Sequence, residues 1–157
     1  MNEWLIALAR LQEEHHEALL VTIASGSGST PREAGVKMVV TAEAMFGTIG
    51  GGQMEYEALA LARQALRDRQ SPLVRRYALG TDSGQVCGGA ANLVFERLPP
   101  DTQWVRVLAG HLSNAVPSVL VSVASEDAAG RLIVTRDERW GTLGDASLDA
   151  AALERAQ

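Results

Sequence analysis

Cysteine is nearly absent from this chain of 157 residues. Cys87 stands alone, so no intrachain disulfide can form, and a lone thiol fits a reducing cytoplasm. Positive charge is also scarce: 14 Lys and Arg face 19 Asp and Glu, for a formal net charge of -5. A nucleic-acid binder selects basic faces for the phosphate backbone, so this balance argues against such a partner. Three tryptophans with few other aromatics offer no platform for stacking bases. No stretch approaches the roughly 20 apolar residues of a membrane helix, so no membrane partner is expected. The opening Met1-Asn2-Glu3-Trp4 breaks any apolar leader with polar positions. Histidine contributes little. His15 and His16 are adjacent and point to different sides of a helix, and no His, Cys or carboxylate spacing matches a zinc or iron site. No Ser-His-Asp arrangement is evident either.

What is present is apolar and repetitive. Hydrophobic residues make up 46% of the chain, in runs such as Ala18 to Ile23 and Val116 to Val123, which suits one compact domain or two very small ones. Trp4, Leu8, Ala9, Leu20, Val21, Ala24 and Ser25 recur at a constant offset of 100 as Trp104, Leu108, Ala109, Leu120, Val121, Ala124 and Ser125. Val40-Thr41, Gly47-Thr48, Gly50, Ala58-Leu59 and Ala62 recur at an offset of 94 as Val134-Thr135, Gly141-Thr142, Gly144, Ala152-Leu153 and Ala156. The offset changes between Gly26 and Val36, so the first copy carries the longer loop there.

Each copy reads as helix, strand, loop, strand, strand, helix. Helical spacing marks Trp4, Leu5, Leu8 and Leu11, and again Trp104, Leu108 and Leu112. Strands are expected over Ala18 to Ser25, Val36 to Thr41 and Phe46 to Ile49, then a helix over Gln53 to Arg69. The second copy predicts strands over Ser118 to Ser125, Arg131 to Thr135 and Trp140 to Leu143, with a helix from Ser147 onward. An insertion between the copies, residues 71–100, reads as strand Leu73 to Leu79, loop Gly80 to Gly89 and strand Ala91 to Leu98. The expected fold is thus α/β in the mixed α+β sense, a duplicated unit around a mixed sheet. It forms a single domain over 1–157, with copy one at 1–70 and copy two at 101–157. Its sheet edges could pair with a second copy, giving a homo-oligomer.

The duplication acts as an internal control, because features confined to copy one are the better functional candidates. Gly26-Ser27-Gly28-Ser29-Thr30-Pro31-Arg32 follows an apolar strand, and copy two has only a short turn at Glu126 to Gly130. Small residues let backbone N–H groups face a ligand, hydroxyls add donors, and Arg32 brings a planar fork suited to phosphate. An ordinary surface loop with an exposed Arg would use the same residue types. Gly50-Gly51-Gly52 opens a helix, where copy two has Gly144-Asp145-Ala146. Asp145 would repel an anion at the helix start, whereas Gly51 and Gly52 would admit one. A tight strand-to-helix turn is the plainer reading. Glu55 could accept hydrogen bonds from a heterocycle, or simply suit the helix dipole, as Asp149 would in copy two. Cys87, beside Gly88 and Gly89, is an accessible candidate for a soft metal or for sulfur, although a free Cys is often a small buried hydrophobe.

Taken together, Gly28-Ser29-Thr30-Pro31-Arg32, Gly35, Met38, Gly47-Thr48-Ile49-Gly50-Gly51-Gly52 with Glu55, and Gly84-Gln85-x-Cys87-Gly88-Gly89 resemble the xanthine dehydrogenase accessory proteins of the XdhC/CoxI type. The resemblance covers residues 1 to about 98 and concerns the N-terminal domain of that family. It implies an accessory protein rather than an enzyme, one that binds the molybdenum cofactor (molybdopterin) and protects it. It further implies support of sulfuration with a cysteine desulfurase and delivery to the large subunit of a molybdenum hydroxylase, all in the cytoplasm. Under it, Ser27, Gly28, Ser29, Thr30, Arg32, Gly50, Gly51, Gly52, Glu55, Cys87, Gly88 and Gly89 are the expected cofactor-binding residues, with Cys87 at the metal. Two departures stand out. Val86 occupies the place where the family often shows a second Cys, and the family's Rossmann-like C-terminal domain is expected to be absent here. Three other readings use the same residues: a thiol-dependent sulfurtransferase working through Cys87, a phosphate- or nucleotide-binding domain, and a purely structural interaction domain.

Overall fold

The first strand, β1 (Ala18–Ser27), is apolar at consecutive positions, which is the pattern of a strand covered on both faces. The structure, a computed structural model, describes residues 2–30, 32–70, 73–79, 88–125 and 130–156. In it β1 is flanked by β2 (Lys37–Val40) on one side and β5 (Gly89–Leu98) on the other. Beyond these lie β3 (Met45–Gly47) and β4 (Leu73–Leu79), giving a five-stranded sheet of order β3-β2-β1-β5-β4. A second sheet of three strands has the order β6-β7-β8, with β6 (Val119–Ser122), β7 (Arg131–Val134) and β8 (Arg139–Thr142). The class is α+β. The mixed sheet expected from the sequence is instead two sheets in which every pairing is antiparallel. The reason lies in the connections. Neighbours such as β2–β3 and β7–β8 are joined by tight turns, which permit only antiparallel pairing, whereas a parallel pair needs a long crossover. The turn expected at Glu126 to Gly130 falls, apart from Gly130, outside the described residues.

Alternate residues of β1 serve two cores, because successive side chains leave a strand on opposite faces. Leu19, Val21 and Ile23 face a cluster with Met38, Phe95 and helix α2 (Gly52–Asp68). Ala18 and Leu20 face a cluster with helices α1 (Glu3–Glu13) and α3 (Gln103–Ser113), which also takes Ile133 from the second sheet. That shared cluster ties the two sheets into one body. Gln12, near the end of α1, is buried and donates to the carbonyls of Pro99 and Thr102 at 3.3 Å, anchoring the approach to α3. A fourth helix, α4 (Ala146–Ala156), closes the second unit with no fully buried residue of its own.

The two units pair their strands in the same register. Leu19 faces Val40 and Thr22 faces Lys37 in one; Val119 faces Val134 and Ser122 faces Arg131 in the other. Their turns agree as well. Thr41 Oγ1 accepts from the N–H groups of Glu43 and Ala44, and Thr135 Oγ1 accepts from those of Asp137 and Glu138. Between the units, Trp4 and Trp104 meet with ring centroids 6.5 Å apart and planes tilted by 42°.

Helix α2 lies against the sheet through Met54, Ala58, Ala62 and Ala65, a stripe of mostly small side chains that lets the helix approach closely. Ala62→Leu should therefore overpack this contact and cost about 1–3 kcal/mol in urea unfolding. Ala60→Leu, on the exposed face, should stay within about 0.5 kcal/mol of the parent.

Candidate functional site

The glycine turn between β3 and α2 is built around one carboxylate oxygen. Glu55 Oε2 accepts from Thr48 Oγ1 at 2.5 Å, from the Ile49 N–H at 2.9 Å and from the Gly51 N–H at 3.1 Å. Thr48 Oγ1 in turn accepts from the Gly50 N–H at 3.1 Å. The second unit repeats the brace with a shorter acid: Asp149 accepts from Thr142 Oγ1 and from the Leu143 N–H, each at 2.7 Å, and Thr142 Oγ1 accepts from the Gly144 N–H at 3.0 Å. Glu55 thus holds the loop's own backbone with Oε2, beyond the plain helix-dipole contribution read from the sequence.

The units diverge at the next two residues. In α4, Asp145 Oδ1 accepts from the N–H groups of Ser147 and Leu148 at 2.8 and 3.0 Å, so a fixed anion caps the helix. These bonds hold the Asp145 carboxyl below its usual range, the Ser147 hydroxyl contributing most. In α2 the corresponding position is Gly51, and no side chain caps the helix. Gly50, Gly51 and Gly52 have φ of 124°, 74° and 66°, a left-handed run that residues with a Cβ adopt only under strain. The sequence there is what lets the first turn of α2 keep its N–H groups clear of side chains. Such a terminus favours an anion through its dipole and its donors.

The long loop after β1 packs onto the start of β5. A Cβ on Gly28 would lie 3.1 Å from the Gly89 Cα, and one on Gly89 would lie 2.3 Å from the Ser29 carbonyl oxygen. The structure therefore brings Ser27, Gly28 and Ser29 against Gly88 and Gly89, with Asn92 donating to Ser25 Oγ at 2.8 Å alongside. Thr30 Oγ1 donates to the Arg32 carbonyl at 3.0 Å and shapes the loop's end. Arg32 is exposed and shares a hollow of about 540 Å³ with Trp4, Lys37, Gly47 and Thr48, which links this loop to the glycine turn. Pro31 and Cys87 lie outside the described residues, and with Cys87 the expected metal contact. Among the described residues no group of three or more His, Cys, Asp or Glu could hold a metal ion.

Sequence reasoning passed over a pair of cations. Lys37 Nζ lies 5.5 Å from the Trp4 ring centroid, and the Arg131 guanidinium lies 5.4 Å from that of Trp104. Both belong to matching positions of the two units, so the offset of 94 could have found them. Burial, then the charge of Arg131, pushes the Lys37 amine down from 10.5 to about 8, and burial brings Arg131 down to about 10. Arg131 pairs with Glu96.

Two outcomes follow from this geometry. Glu55→Ala strips the acceptor from the N–H of Ile49, a fully buried residue, and should cost about 1–3 kcal/mol in urea unfolding, with Glu55→Gln losing less because a carbonyl oxygen remains. The folded state also releases the Lys37 proton before the unfolded state does, so stability should rise as pH climbs from about 8 toward 10.5. In Lys37→Met that rise should vanish, checked by urea midpoints at about pH 7.5 and about pH 9.5.

Residues 11–78 match the model of the XdhC and CoxI family. The chain is 32% identical over 111 residues to the uncharacterized protein YqeB of Escherichia coli (strain K12), an alignment that takes in 69% of this chain and 20% of that protein. Its fold is similar to that of a crystal structure described as a xanthine dehydrogenase from Bacillus halodurans, with a TM-score of 0.69 and 18% identity over 92% of this chain and 46% of that one. The chain thus spans less than half the length of either relative. The matched segment runs from the end of α1 through the first loop, the glycine turn and α2 to β4, so it contains Ser27 to Arg32, Gly50 to Gly52 and Glu55. Over residues 11–78 this chain is thus similar to the XdhC and CoxI family.

Proposed function

We propose that the chain serves the maturation of a xanthine-dehydrogenase-type molybdenum hydroxylase, by binding the molybdenum cofactor rather than by catalysing a reaction. The observation that carries this reading is the contrast between the two helix starts. Where α4 fills its N-terminus with the Asp145 carboxylate, α2 presents three glycines and no capping side chain. The donor set fits the phosphate end of a pyranopterin cofactor: the backbone N–H of Gly52, the hydroxyls of Ser27 and Ser29, and the Arg32 guanidinium on the neighbouring loop. The close seat of Gly28 on Gly88 and Gly89 sets that loop's shape without side chains intervening. Glu55 positions the glycine turn. Its Oε2 is engaged with the loop, which leaves Oε1 as the oxygen to meet a ligand N–H.

Cys87 follows in the chain immediately before Gly88 and is the soft ligand for the molybdenum or sulfur end in this reading. The cofactor, when bound, supplies the redox chemistry of the recipient enzyme. This chain's part is to hold it, exclude water and present it. The recipient would be the large subunit of a molybdenum hydroxylase, and the sulfur donor a cysteine desulfurase. The match of residues 11–78 to the family model supports this reading, and the fold shared with the Bacillus halodurans protein is consistent with it.

The test mixes the purified chain with freshly released molybdenum cofactor under anaerobic conditions and passes it through gel filtration. Molybdenum and oxidised-pterin fluorescence should co-elute with the protein at about one per chain. Replacing Gly51-Gly52 by the Asp-Ala of the second unit should reduce retention at least about tenfold, since it sets a carboxylate where the anion would bind. Arg32→Ala should weaken retention, and Cys87→Ser should lose molybdenum while keeping pterin. Wild-type protein that retains neither would overturn the proposal.

A further inference from the structure

The interface between the two units contains a cleft of about 160 Å³ that none of the residues considered above as cofactor ligands lines. Its walls are matched across the units: Thr22 and Ser122 occupy equivalent places, and so do Lys37 and Arg131. Two cations therefore face one small space, near enough that the charge of Arg131 acts on Lys37. Among the described residues Glu96 is the single carboxylate lining the cleft, and it is already paired with Arg131. With both cations charged, the described lining holds one positive charge in excess. The Arg131 side chain is only 9% exposed, and its Nε is buried without a hydrogen-bond partner among the described residues. Its other nitrogens are used: NH2 on Glu96, and NH1 donating to the Gly130 carbonyl at 2.9 Å. Lys37 Nζ donates to the Gly35 carbonyl at 3.0 Å and retains two further N–H donors.

A buried guanidinium donor without an acceptor is costly, and so is a desolvated cation without a counter-charge. An anion between them removes both costs at once. We infer that this cleft is a binding site for one tetrahedral oxyanion of the phosphate class, held between Lys37 and Arg131 with the hydroxyls of Thr22 and Ser122 as further donors. A phosphate accepts from several directions, which suits donors arriving from two opposed strands. The two indole faces, Trp4 under Lys37 and Trp104 beside Arg131, keep the cations in place when the cleft is empty. The site spans both units, so occupancy would also clamp one sheet to the other.

The probe is inorganic phosphate, titrated calorimetrically into the whole chain at constant ionic strength with chloride as the balancing ion. Saturable binding with one phosphate in this cleft is expected. Lys37→Met should weaken it about tenfold or more, Lys37→Arg should restore most of it, and Arg106→Gln, an exposed site on α3, should leave it unchanged. By side-chain NMR the Lys37 amine should hold its proton to higher pH when phosphate is bound, a change that a merely structural lysine would not show. Absence of saturable binding would overturn the inference. So would binding that Lys37→Met leaves intact, which would place the anion elsewhere, for instance at the start of α2. Acetate binding as tightly as phosphate would overturn the assignment to a tetrahedral oxyanion. If Lys37→Met fails to fold by circular dichroism, the Lys37 titration with and without phosphate decides the matter alone.

Discussion

Everything in this molecule hangs on β1 being apolar and buried on both faces from Ala18 to Val21. A strand buried on both sides must be covered on both sides, and its alternating side chains commit α2 to one face and the α1–α3 pair to the other. The second unit reaches the first through the face given to α1 and α3, where Ile133 joins Leu20 and Trp104. The same strand then runs past its apolar half into Gly26 and Ser27, so the polar loop starts at a rigid support. Core and candidate site are thus consecutive parts of one element.

Much of this was legible in the residues. Strand β4 lies over Leu73–Leu79, as expected from the sequence, and the helices follow the periodicity that starts at Trp4 and Trp104. The place of β5 in the sheet was not legible, because its partner β1 is distant in sequence and pairing is a property of two segments at once. Ala18 faces Leu98 and Val21 faces Phe95. Without that pairing, the sheets could not be separated or oriented, and a mixed sheet remained the expectation. Local turn chemistry, by contrast, was readable, since the Gly-Thr-x-Gly segment in both units predicts the same tight bend.

For the candidate site the balance differs. The loops were found because glycine clusters demand a backbone reason, and the contrast between Gly51-Gly52 and Asp145-Ala146 directs attention to a helix start. The part played by Glu55 could not be read, because a carboxylate that braces a turn and one that awaits a ligand occupy the same sequence position. Only geometry shows three donors converging on Oε2. Lys37 and Arg131 were missed for another reason: single basic residues in strands look like solvent-facing positions, and their proximity depends on how two units pack.

The long-range pairing of β1 with β5 carries a consequence for synthesis. As the chain leaves a ribosome from its N-terminus, β1, β2 and β3 can meet early through short connections, but the other edge of β1 stays open until Leu98 has emerged. During that interval a twice-apolar strand exposes unpaired backbone groups, the arrangement that invites association between nascent chains. The hairpin of β4 and β5 forms locally and can then dock as a unit, so the residues between the repeats act as the closing piece of the first unit rather than as a spacer.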